Sequence, residues 1–364
     1  MKVVVAGTRG IPDIQGGVET HCEELYPRLV ELGCDVILIR RSHYISQNNK
    51  IEQYKGIKLK DIYAPRIKSI EALLHTLLAV FYAKKIKADI LHIHAIGPSI
   101  MTPLARFLGL KVVVTHHGQD YYREKWGKIA RIVLKTGERF SVKYANELIV
   151  ISEGINRYIT QNYCRNNTNL IYNGVNIPVK SNEKTYIKSL GLSPQKYIFA
   201  VGRLVKEKGF HGLIEAFTKL NSKDYKLVIA GDADHPDSYS ESLKKLAGGK
   251  GVVLTGFIKG EKLNELFSNS KLFILPSFHE GLPISLLEAM SYNVDVLISD
   301  IPANLEIKLP EDYYFKCGNW DDLKNKIEEK LLKNEHITYD LSMYDWDKIA
   351  AQTFEIYKRM MKKV

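Results

Sequence analysis

The chain is poor in cysteine and has no long apolar run. Both features limit the classes of protein to which it can belong. Its four cysteines are scattered, with no Cys-x-x-Cys pair and no spacing typical of a zinc site. They predict reduced, mostly buried thiols in a cytosolic protein. The longest apolar stretch, residues 72–83, is far shorter than the roughly 20 residues that cross a bilayer, which excludes a transmembrane enzyme. Because the chain opens on a strand pattern, we also expect no signal peptide.

Excess negative charge is absent, and the positive excess is confined to one half of the chain. Residues 1–180 hold 26 Lys and Arg against 15 Asp and Glu, whereas residues 181–364 hold 26 of each. The whole net charge of +11 therefore lies in the first half. A one-sided basic surface attracts a polyanion, either nucleic acid or anionic lipid. A solvated basic face without a partner is the alternative.

Two segments of the first half favour lipid. Residues 66–87 combine apolar side chains with Arg66, Lys68 and Lys84, and residues 121–131 place aromatic side chains among cations. Aromatic and basic side chains together suit an anionic membrane interface. A core helix with a basic outer face explains either segment alone. No nucleic-acid-binding module is recognisable, so we predict a membrane surface and no nucleic acid as partner.

Short apolar strands alternate with helical periods along nearly the whole chain, with neither an internal repeat nor a low-complexity run. This alternation predicts parallel α/β architecture, and the length suggests two domains. Strands are predicted at residues 2–6, 34–39, 89–93, 111–115, 147–151, 197–201, 226–230, 252–255, 271–275 and 295–298. Helices are predicted at residues 17–32, 69–87, 99–108, 122–145 and 153–162, with further helices in the second half. A polar stretch around residues 173–195 reads as the linker, because it opens on Asn173-Gly174 and contains a proline. Doubly wound domains bind ligands at the carboxyl ends of their strands.

Two glutamates flank a turn near the C-terminal end of the chain. Glu280 and Glu288 stand eight positions apart around Gly281-Leu282-Pro283 and the start of an apolar helix. A helix start offers free N–H groups that bind phosphate, and carboxylates accept hydrogen bonds from sugar or ribose hydroxyls.

Three other loops carry polar groups after predicted strands. The first loop runs from Gly7 through Gly16 and Gly17 to Glu19, and glycines let backbone N–H groups approach a phosphate. His116 and His117 follow another strand, where a histidine can hydrogen-bond a sugar hydroxyl or phosphate. Arg203 and Lys208 follow a third strand and suit the two phosphates of a nucleoside diphosphate.

The Asp232-Ala-Asp234 sequence matches an Asp-x-Asp pattern that binds metal ions in other proteins. It lies between a predicted strand and a predicted helix, so loop or N-cap chemistry is the better interpretation of Asp232. His92 and His94 have no carboxylate at ligand spacing and are interpreted as structural or cleft-lining residues without metal.

Together these motifs resemble the GT-B glycosyltransferases of family 4, also called group 1. The E-x7-E segment and the Gly202-Arg203-x4-Lys208-Gly209 loop carry the resemblance to the family. The Gly7-Thr-Arg-Gly-Ile-Pro opening, followed by Gly16-Gly17-x-Glu19-Thr20, resembles a subgroup from bacterial polysaccharide and O-antigen assembly. The resemblance covers essentially the whole chain. It departs after the second-domain helix, where Asn293-Val294-Asp295 replaces a usual Gly-x-Pro. Asparagine tolerates left-handed backbone angles, so the helix can still end there.

The resemblance implies two Rossmann-like domains facing across a cleft, with no metal and no other cofactor. Residues 1–175 plus a C-terminal helix at 346–364 would form the acceptor-side domain, and residues 176–345 the donor-binding domain. The implied catalytic residues are His117, Arg203, Lys208 and Glu280. The implied donor-binding residues are Gly16, Gly17, Arg203, Lys208, Phe257, Ile258, Glu280, Gly281, Leu282, Pro283, Ile284 and Glu288. Glu19 and Asp120 are implied on the acceptor side.

In these enzymes the counterpart of His117 touches the donor sugar, Glu280 its hydroxyls and Glu288 the ribose. His116 is then structural. The implied activity is retaining transfer of a sugar from a nucleotide-diphosphate sugar to a polyprenyl-diphosphate-linked glycan. The enzyme would work in the cytoplasm, at the inner face of the cytoplasmic membrane.

Three other functions are consistent with part of the pattern. A sugar-nucleotide epimerase or phosphorylase could share the fold, but the E-x7-E segment with this N-terminal loop argues against it. A non-catalytic nucleotide-sugar-binding partner of an assembly complex would lack donor hydrolysis. A Rossmann dehydrogenase would need a G-x-G-x-x-G loop and an acidic ribose ligand, which are missing.

Overall fold

The computed structural model describes residues 1–67, 70–122, 126–221, 224–234, 236–333 and 337–362. The chain divides into two compact units. The first comprises Met1–Gly174 with Tyr344–Val364, and the second comprises Val175–Met343. The polypeptide therefore leaves the first unit once and returns to it for its last segment.

Unit 1 is built on one sheet of eight strands within the described residues. The strand order is β3-β4-β2-β1-β5-β6-β7-β8, and every neighbouring pair is parallel except β3 with β4. The strands are β1 (Lys2–Ala6), β2 (Asp35–Arg41), β3 (Gln53–Tyr54), β4 (Ile57–Ile62), β5 (Ile90–His94), β6 (Lys111–His116), β7 (Glu147–Val150) and β8 (Thr168–Leu170). The central strands are buried along nearly their whole length, as their continuous apolar runs require.

The order of these strands reverses direction between β1 and β5. The chain moves from β1 outward through β2 to β4, and then returns to β5 and moves the other way. Loops at such a reversal diverge and leave a crevice at the carboxyl edge of the sheet. The glycine-rich loop after β1 and the histidines at the ends of β5 and β6 lie at this edge.

Helices connect the strands of unit 1, and the end of the chain adds one more. The connecting helices are α1 (Gly17–Glu31), α2 (Glu71–Lys85), α3 (Thr102–Phe107), α4 (Lys128–Tyr144) and α5 (Glu153–Tyr163). The C-terminal helix, Trp346–Lys362, packs against α1 and buries Trp346, Ile349 and Tyr357 in the same core as Val3 and Leu25. The predicted starts of α2 at residue 69 and of α4 at residue 122 are too early. Ser69 itself and residues 123–125 of the predicted α4 lie outside the described residues.

Unit 2 repeats the same design on a smaller scale. Its described residues form a parallel six-stranded sheet of order β11-β10-β9-β12-β13-β14. The strands are β9 (Tyr197–Val201), β10 (Lys226–Ala230), β11 (Val252–Gly256), β12 (Leu272–Leu275), β13 (Asp295–Ser299) and β14 (Tyr314–Phe315). The helices are α6 (Thr185–Ser189), α7 (Phe210–Thr218), α8 (Ser238–Ala247), α9 (Glu261–Asn269), α10 (Ile284–Ser291), α11 (Pro302–Leu305) and α12 (Trp320–Leu332).

The second sheet reverses direction between β9 and β12, so the loops after those strands share one carboxyl edge. The first of these loops carries Arg203 and Lys208, and the second carries Glu280. The predicted fold class, α/β with doubly wound parallel sheets, is confirmed for both units.

No helix in the described ranges is both long enough and apolar enough to cross a membrane.

Candidate active site

In unit 1, the loop between β1 and α1 is held by one buried carboxylate. Glu19, in the first turn of α1, is only 3% exposed. It accepts hydrogen bonds from the Thr8 hydroxyl at 3.1 Å and the Arg9 backbone N–H at 3.0 Å. It also pairs with the Arg9 guanidinium at 2.8 Å. Burial alone would raise the pKa of Glu19, but Arg9 holds it below the ordinary value. The residue predicted to face an acceptor thus clamps the loop that precedes it.

At Gly7 and Gly16 of this loop, close neighbours leave no space for a side chain. A Cβ at Gly7 would lie 2.2 Å from the carbonyl oxygen of His94, so only glycine lets β1 end this close to β5. A Cβ at Gly16 would meet Glu19 Oε2 at 2.1 Å and Arg9 Nη2 at 2.2 Å. Gly17 has open space where its Cβ would be. The backbone at the start of α1 is consequently accessible to a ligand at Gly17.

The predicted site residue His117 follows β6 directly and lies against a chain of buried rings. Its Nε2 is 2.9 Å from His94 Nδ1, and His94 Nε2 is 2.5 Å from the Tyr26 hydroxyl. The Tyr26 hydroxyl lies 2.9 Å from His92 Nδ1, which also lies 2.6 Å from the hydroxyl of Tyr357. Five side chains from α1, β5, the loop after β6 and the C-terminal helix are therefore linked in one hydrogen-bonded series.

The sequence contained a signal for part of this series. His92 and His94 are two residues apart on β5, and alternate residues of a strand point to the same face. His21, in contrast, carries no signal in the sequence. It lies on α1, 97% buried, and its ring meets His117 edge-on with 4.9 Å between ring centroids.

Burial keeps this histidine cluster neutral. It lowers the pKa of His21 to about 4 and that of His92 to about 3. Burial also lowers the pKa values of His94 and His117 well below the ordinary value, with neighbouring histidines adding to the effect. His117 can therefore offer a neutral ring nitrogen to a hydroxyl group at physiological pH.

His116, the neighbour of His117, is fully buried on the other side of the strand. Its Nε2 lies 2.9 Å from Glu138 Oε1, and its Nδ1 accepts a hydrogen bond from the Gly118 N–H at 3.2 Å. The hydroxyls of Tyr121 and Tyr163 also donate to Glu138. These contacts anchor α4 and the turn after β6, and His116 has a structural position.

In unit 2, the predicted cations are each held by a carboxylate. Lys208 Nζ lies 2.6 Å from Glu280 Oε1, and Arg203 Nη1 lies 2.8 Å from Asp234 Oδ2. All four side chains are at most 20% exposed. Although burial raises the pKa of Glu280, Lys208 outweighs it and holds that pKa below the ordinary value. Two predicted site residues 72 positions apart thus form one ion pair.

The loop that carries Lys208 is fixed by Gly209, which packs on the other loop. Gly209 adopts φ of 69°, and a Cβ there would lie 2.1 Å from the carbonyl oxygen of Pro276. This close approach brings the loop after β9 onto the loop after β12. The glycine therefore sets the distance that Lys208 must span to reach Glu280.

The Asp232–Asp234 segment supports the basic groups of unit 2. Asp232 accepts from the N–H of Ala233 and pairs with Lys244 at 3.0 Å, while Asp234 holds Arg203. Helix α8 begins later and is capped by Asp237. Of the two interpretations of Asp232, loop chemistry is confirmed and the N-cap is wrong. His235, the next residue of this motif, lies outside the described residues.

The E-x7-E segment forms a turn followed by a helix start. Helix α10 begins at Ile284 after a Pro283 N-cap that provides no side-chain capping bond. Leu282 and Pro283 are buried, and Gly281 and Glu288 are half-buried. Asn293, which follows the helix, has φ of 51°, so the predicted left-handed ending is confirmed.

The remaining predicted residues lie in loops of their own units. Phe257 and Ile258 directly follow β11, with Phe257 exposed and Ile258 packed on the unit 2 core. Asp120 lies in a single helical turn, Asp120–Tyr122, after β6. Its neighbour Gly118 accepts its backbone N–H at 3.1 Å.

Two family models match the chain. The model of Glycosyltransferase Family 4 matches residues 15–178, and the model of Glycosyl transferases group 1 matches residues 182–344. The chain belongs to the family 4, group 1 glycosyltransferases. It is therefore a transferase of GT-B fold, and the expected family is confirmed.

Individual relatives have low sequence identity to this chain, but the matched regions are long. An uncharacterized glycosyltransferase of Methanocaldococcus jannaschii is 25% identical, with 100% of this chain and 99% of the relative covered. The N,N'-diacetylbacillosaminyl-diphospho-undecaprenol alpha-1,3-N-acetylgalactosaminyltransferase of Campylobacter jejuni is 25% identical over 65% of this chain and 66% of its own length. Among solved structures, Anabaena HepE in complex with UDP and glucose superposes with a TM-score of 0.79 at 17% identity, covering 99% of this chain and 100% of HepE.

Proposed function

We propose that this glycosyltransferase moves a sugar, with retention of configuration and without a metal ion, from a nucleotide-diphosphate sugar to a lipid-linked glycan acceptor in bacterial surface polysaccharide assembly. The observation that carries the donor half is the Lys208–Glu280 pair of 2.6 Å. Lys208 shares the loop after β9 with Arg203, and Glu280 stands four residues before the start of α10. Cations, a carboxylate and the backbone N–H groups of a helix start are together the donors and acceptors that a sugar diphosphate requires.

Each of these groups has a place in donor binding. Arg203 and Lys208 neutralise the diphosphate, Glu280 accepts hydrogen bonds from the sugar hydroxyls, and Glu288 accepts those of the ribose. The backbone at Gly281–Ile284 and at Gly16–Gly17 contacts phosphate or sugar oxygens. Phe257 and Ile258 flank the base through backbone groups, and His117 accepts or donates a hydrogen bond at an outer sugar hydroxyl. Glu19, by shaping the first loop, and Asp120 serve the acceptor side.

The reaction in this proposal is a front-face substitution. The acceptor hydroxyl oxygen forms a bond to the anomeric carbon while the bond from that carbon to the diphosphate oxygen breaks. The acceptor proton passes to a β-phosphate oxygen, and the nucleoside diphosphate leaves. Negative charge develops on the leaving oxygen, so Arg203 and Lys208 act most strongly in the transition state. Isolation of a glycosyl–enzyme adduct would contradict this route.

The test of the donor site is thermal stabilisation by UDP, GDP, ADP, dTDP and CMP, each with and without EDTA. One nucleotide should raise the melting temperature by a few degrees, because a ligand that binds only the folded state stabilises it. EDTA should leave this shift unchanged, and Glu288→Ala should abolish it. Glu215→Ala, which removes a surface carboxylate from α7 of the same unit, is the matched control and should retain it.

Two outcomes would contradict the proposal. No shift with any nucleotide would favour a non-catalytic partner of an assembly complex, and donor hydrolysis or transfer would then also be absent. A shift that requires a divalent cation would contradict metal-independent donor binding.

The acceptor half of the proposal is supported by an exposed surface of unit 1. Helices α2 and α4 both pack on the single turn Pro98–Met101. On α4, Ile129 is 80% and Ile132 is 65% exposed. Exposed cations on the same helix flank them: Lys128, Arg131, Lys135 and Arg139. Phe81 on α2 is 50% exposed, close in sequence to the exposed Lys84 and Lys85. Apolar side chains framed by cations are typical of a surface that lies on anionic lipid.

This surface predicts binding to anionic vesicles. The protein should sediment with phosphatidylglycerol-containing vesicles at low salt, and raising the salt should weaken binding by screening the cations. Ile129→Ser with Ile132→Ser should weaken vesicle binding roughly tenfold or more, because two apolar side chains no longer enter the interface. Leu332→Ser removes an 88% exposed apolar side chain from unit 2 and should bind as the wild type does. Equal loss in both variants, or binding to neutral vesicles alone, would contradict this surface.

A further inference from the structure

Unit 1 contains a group of three histidines, of which the proposed reaction uses only one, His117. They are His21 on α1, His94 at the end of β5 and His117 just after β6. One ring nitrogen from each lies within 4.8 Å of the other two. His21 and His94 are buried and His117 is half-buried. The three rings come from different elements, so their convergence is a property of the fold.

The hydrogen bond of His21 fixes which of its nitrogens is available. Its Nδ1 lies 2.9 Å from Asn173 Oδ1, which accepts hydrogen bonds but cannot donate them. Nδ1 therefore carries the hydrogen, and Nε2 presents a lone pair. This Nε2 is buried and has no hydrogen-bond partner among the described residues. A buried acceptor without a partner is costly, and such atoms in folded proteins call for an explanation.

The other two rings have nitrogens that lie close together. His94 Nδ1 and His117 Nε2 are hydrogen-bonded at 2.9 Å. Around a tetrahedral ion with metal–nitrogen distances of 2.0–2.1 Å, two ligand nitrogens would be separated by about 3.3 Å. To admit an ion, this pair must open slightly, the His21 nitrogen within 4.8 Å must move to the same spacing, and the His117 hydrogen must move from Nε2 to Nδ1. The Tyr26 hydroxyl, 2.5 Å from His94 Nε2, can then accept the hydrogen that His94 keeps on that side.

We propose that His21, His94 and His117 form a binding site for a divalent transition-metal ion of the zinc type. Three neutral imidazoles are the ligand set of several three-histidine zinc sites, and they suit borderline ions such as Zn²⁺, Co²⁺ and Ni²⁺. Asn173 and Tyr26 occupy the outer positions that orient ligating histidines in such sites. Mg²⁺ and Ca²⁺ prefer oxygen ligands and are excluded from this one.

The consequence for activity rests on the proposed function, in which His117 contacts the donor sugar. An ion on His117 Nε2 restrains the ring and places positive charge next to the sugar position. Bound metal therefore inhibits transfer, and chelation restores it. The three-histidine site is therefore inhibitory. The transfer reaction itself does not require a metal ion.

Direct binding of cobalt tests the site without reference to activity. Protein freed of metal by a chelator is titrated with Co²⁺ and followed by its visible absorption, which reports the ligand geometry. We expect one equivalent to bind and Zn²⁺ to displace it. His21→Gln and His117→Gln should each weaken binding at least tenfold, and Asn173→Ala should weaken it about 10- to 100-fold. His279→Gln, in unit 2, is the control and should bind normally.

Folding is monitored in parallel because His21 is buried. His117→Gln is the variant that perturbs the core least, since this ring is half-buried. Zn²⁺ should raise the melting temperature of the wild type and of His279→Gln but not of His117→Gln. Absence of a cobalt spectrum, or a spectrum unchanged in both His21→Gln and His117→Gln, would overturn the proposal.

The metal site and the proposed function can be rejected independently of each other. Nucleotide stabilisation without cobalt binding would reject the metal site and leave the transferase proposal intact. Cobalt binding at the three histidines without any nucleotide effect would retain the metal site and reject the donor proposal.

Discussion

Replacing Lys208 by alanine should lower kcat about 100- to 1,000-fold, the loss typical of removing one preorganised charge from a developing anion. Lys208 is the proposed partner of the leaving diphosphate, and its ammonium group lies 2.6 Å from Glu280 in a largely buried position. The measurement is sugar transfer under saturating donor. Lys206→Ala, in the same short turn but with an exposed side chain, is the matched control and should retain activity.

A second variant separates lost catalysis from lost folding. Lys208→Ala leaves Glu280 without its cation, and breaking a buried pair on one side commonly costs about 3–5 kcal/mol. Lys208→Met combined with Glu280→Gln removes both charges and should recover most of that stability, while transfer stays as low as in the single variant. A single variant that turns over within a few-fold of the wild type would show that Lys208 does not neutralise the leaving group.

Acid should begin to destabilise the protein near pH 6.5, well above the pH at which carboxylates ordinarily titrate, and the loss should continue to about pH 4. The pKa values of His21, His75 and His92 are lowered to about 4, 3 and 3 by burial, and Arg41 adds to the effect at His75. In the unfolded chain the same groups titrate near 6.5. In this range the unfolded state binds more protons, so the free energy of unfolding rises with pH and falls on acidification.

The expected loss in the free energy of unfolding is large. Each such histidine contributes roughly 2 kcal/mol of lost stability between pH 7 and pH 5, so the three together approach the whole stability of an ordinary domain. Urea denaturation at a series of pH values measures the slope. His75→Phe keeps an aromatic ring in a fully buried position and should reduce the slope by about one proton. A free energy of unfolding that is flat from pH 7 to pH 5 would contradict the neutral buried histidines.

The repetitive part of the fold could be predicted from sequence because buried parallel strands are continuous apolar runs. β1, β9 and β10 lie where the pattern placed them, and most other central strands end within two residues of the prediction. The strands β3, β4, β8 and β14 were not predicted. β4 alternates lysine with leucine and isoleucine on a partly exposed strand near the sheet edge, and the other three have only two or three residues. Such strands are determined by the neighbour they pair with, more than by their own composition.

Part of the candidate site could likewise be predicted from the sequence, and part could not. Motif spacing located Arg203, Lys208, Glu280 and His117, each in a loop after a strand. It could not give the Arg203–Asp234 pair or the position of His21, because these contacts depend on how separate loops and helices pack. Glu19 shows the limit most clearly. The resemblance implies a place for Glu19 on the acceptor side, but no motif shows that its carboxylate is buried among donors from Thr8 and Arg9.

The return of the chain to unit 1 has a consequence for biosynthesis. The C-terminal helix supplies Trp346 and Tyr357 to the first core, and Gly174 packs directly on the Trp346 ring. A ribosome releases the N-terminal residues first, but the surface that this helix covers stays open until all of unit 2 has been translated. Unit 2, in contrast, is contiguous and can close as soon as it emerges. We expect the N-terminal unit to be the last to mature, and a nascent chain arrested near residue 340 to depend on chaperones for protection of its α1 face.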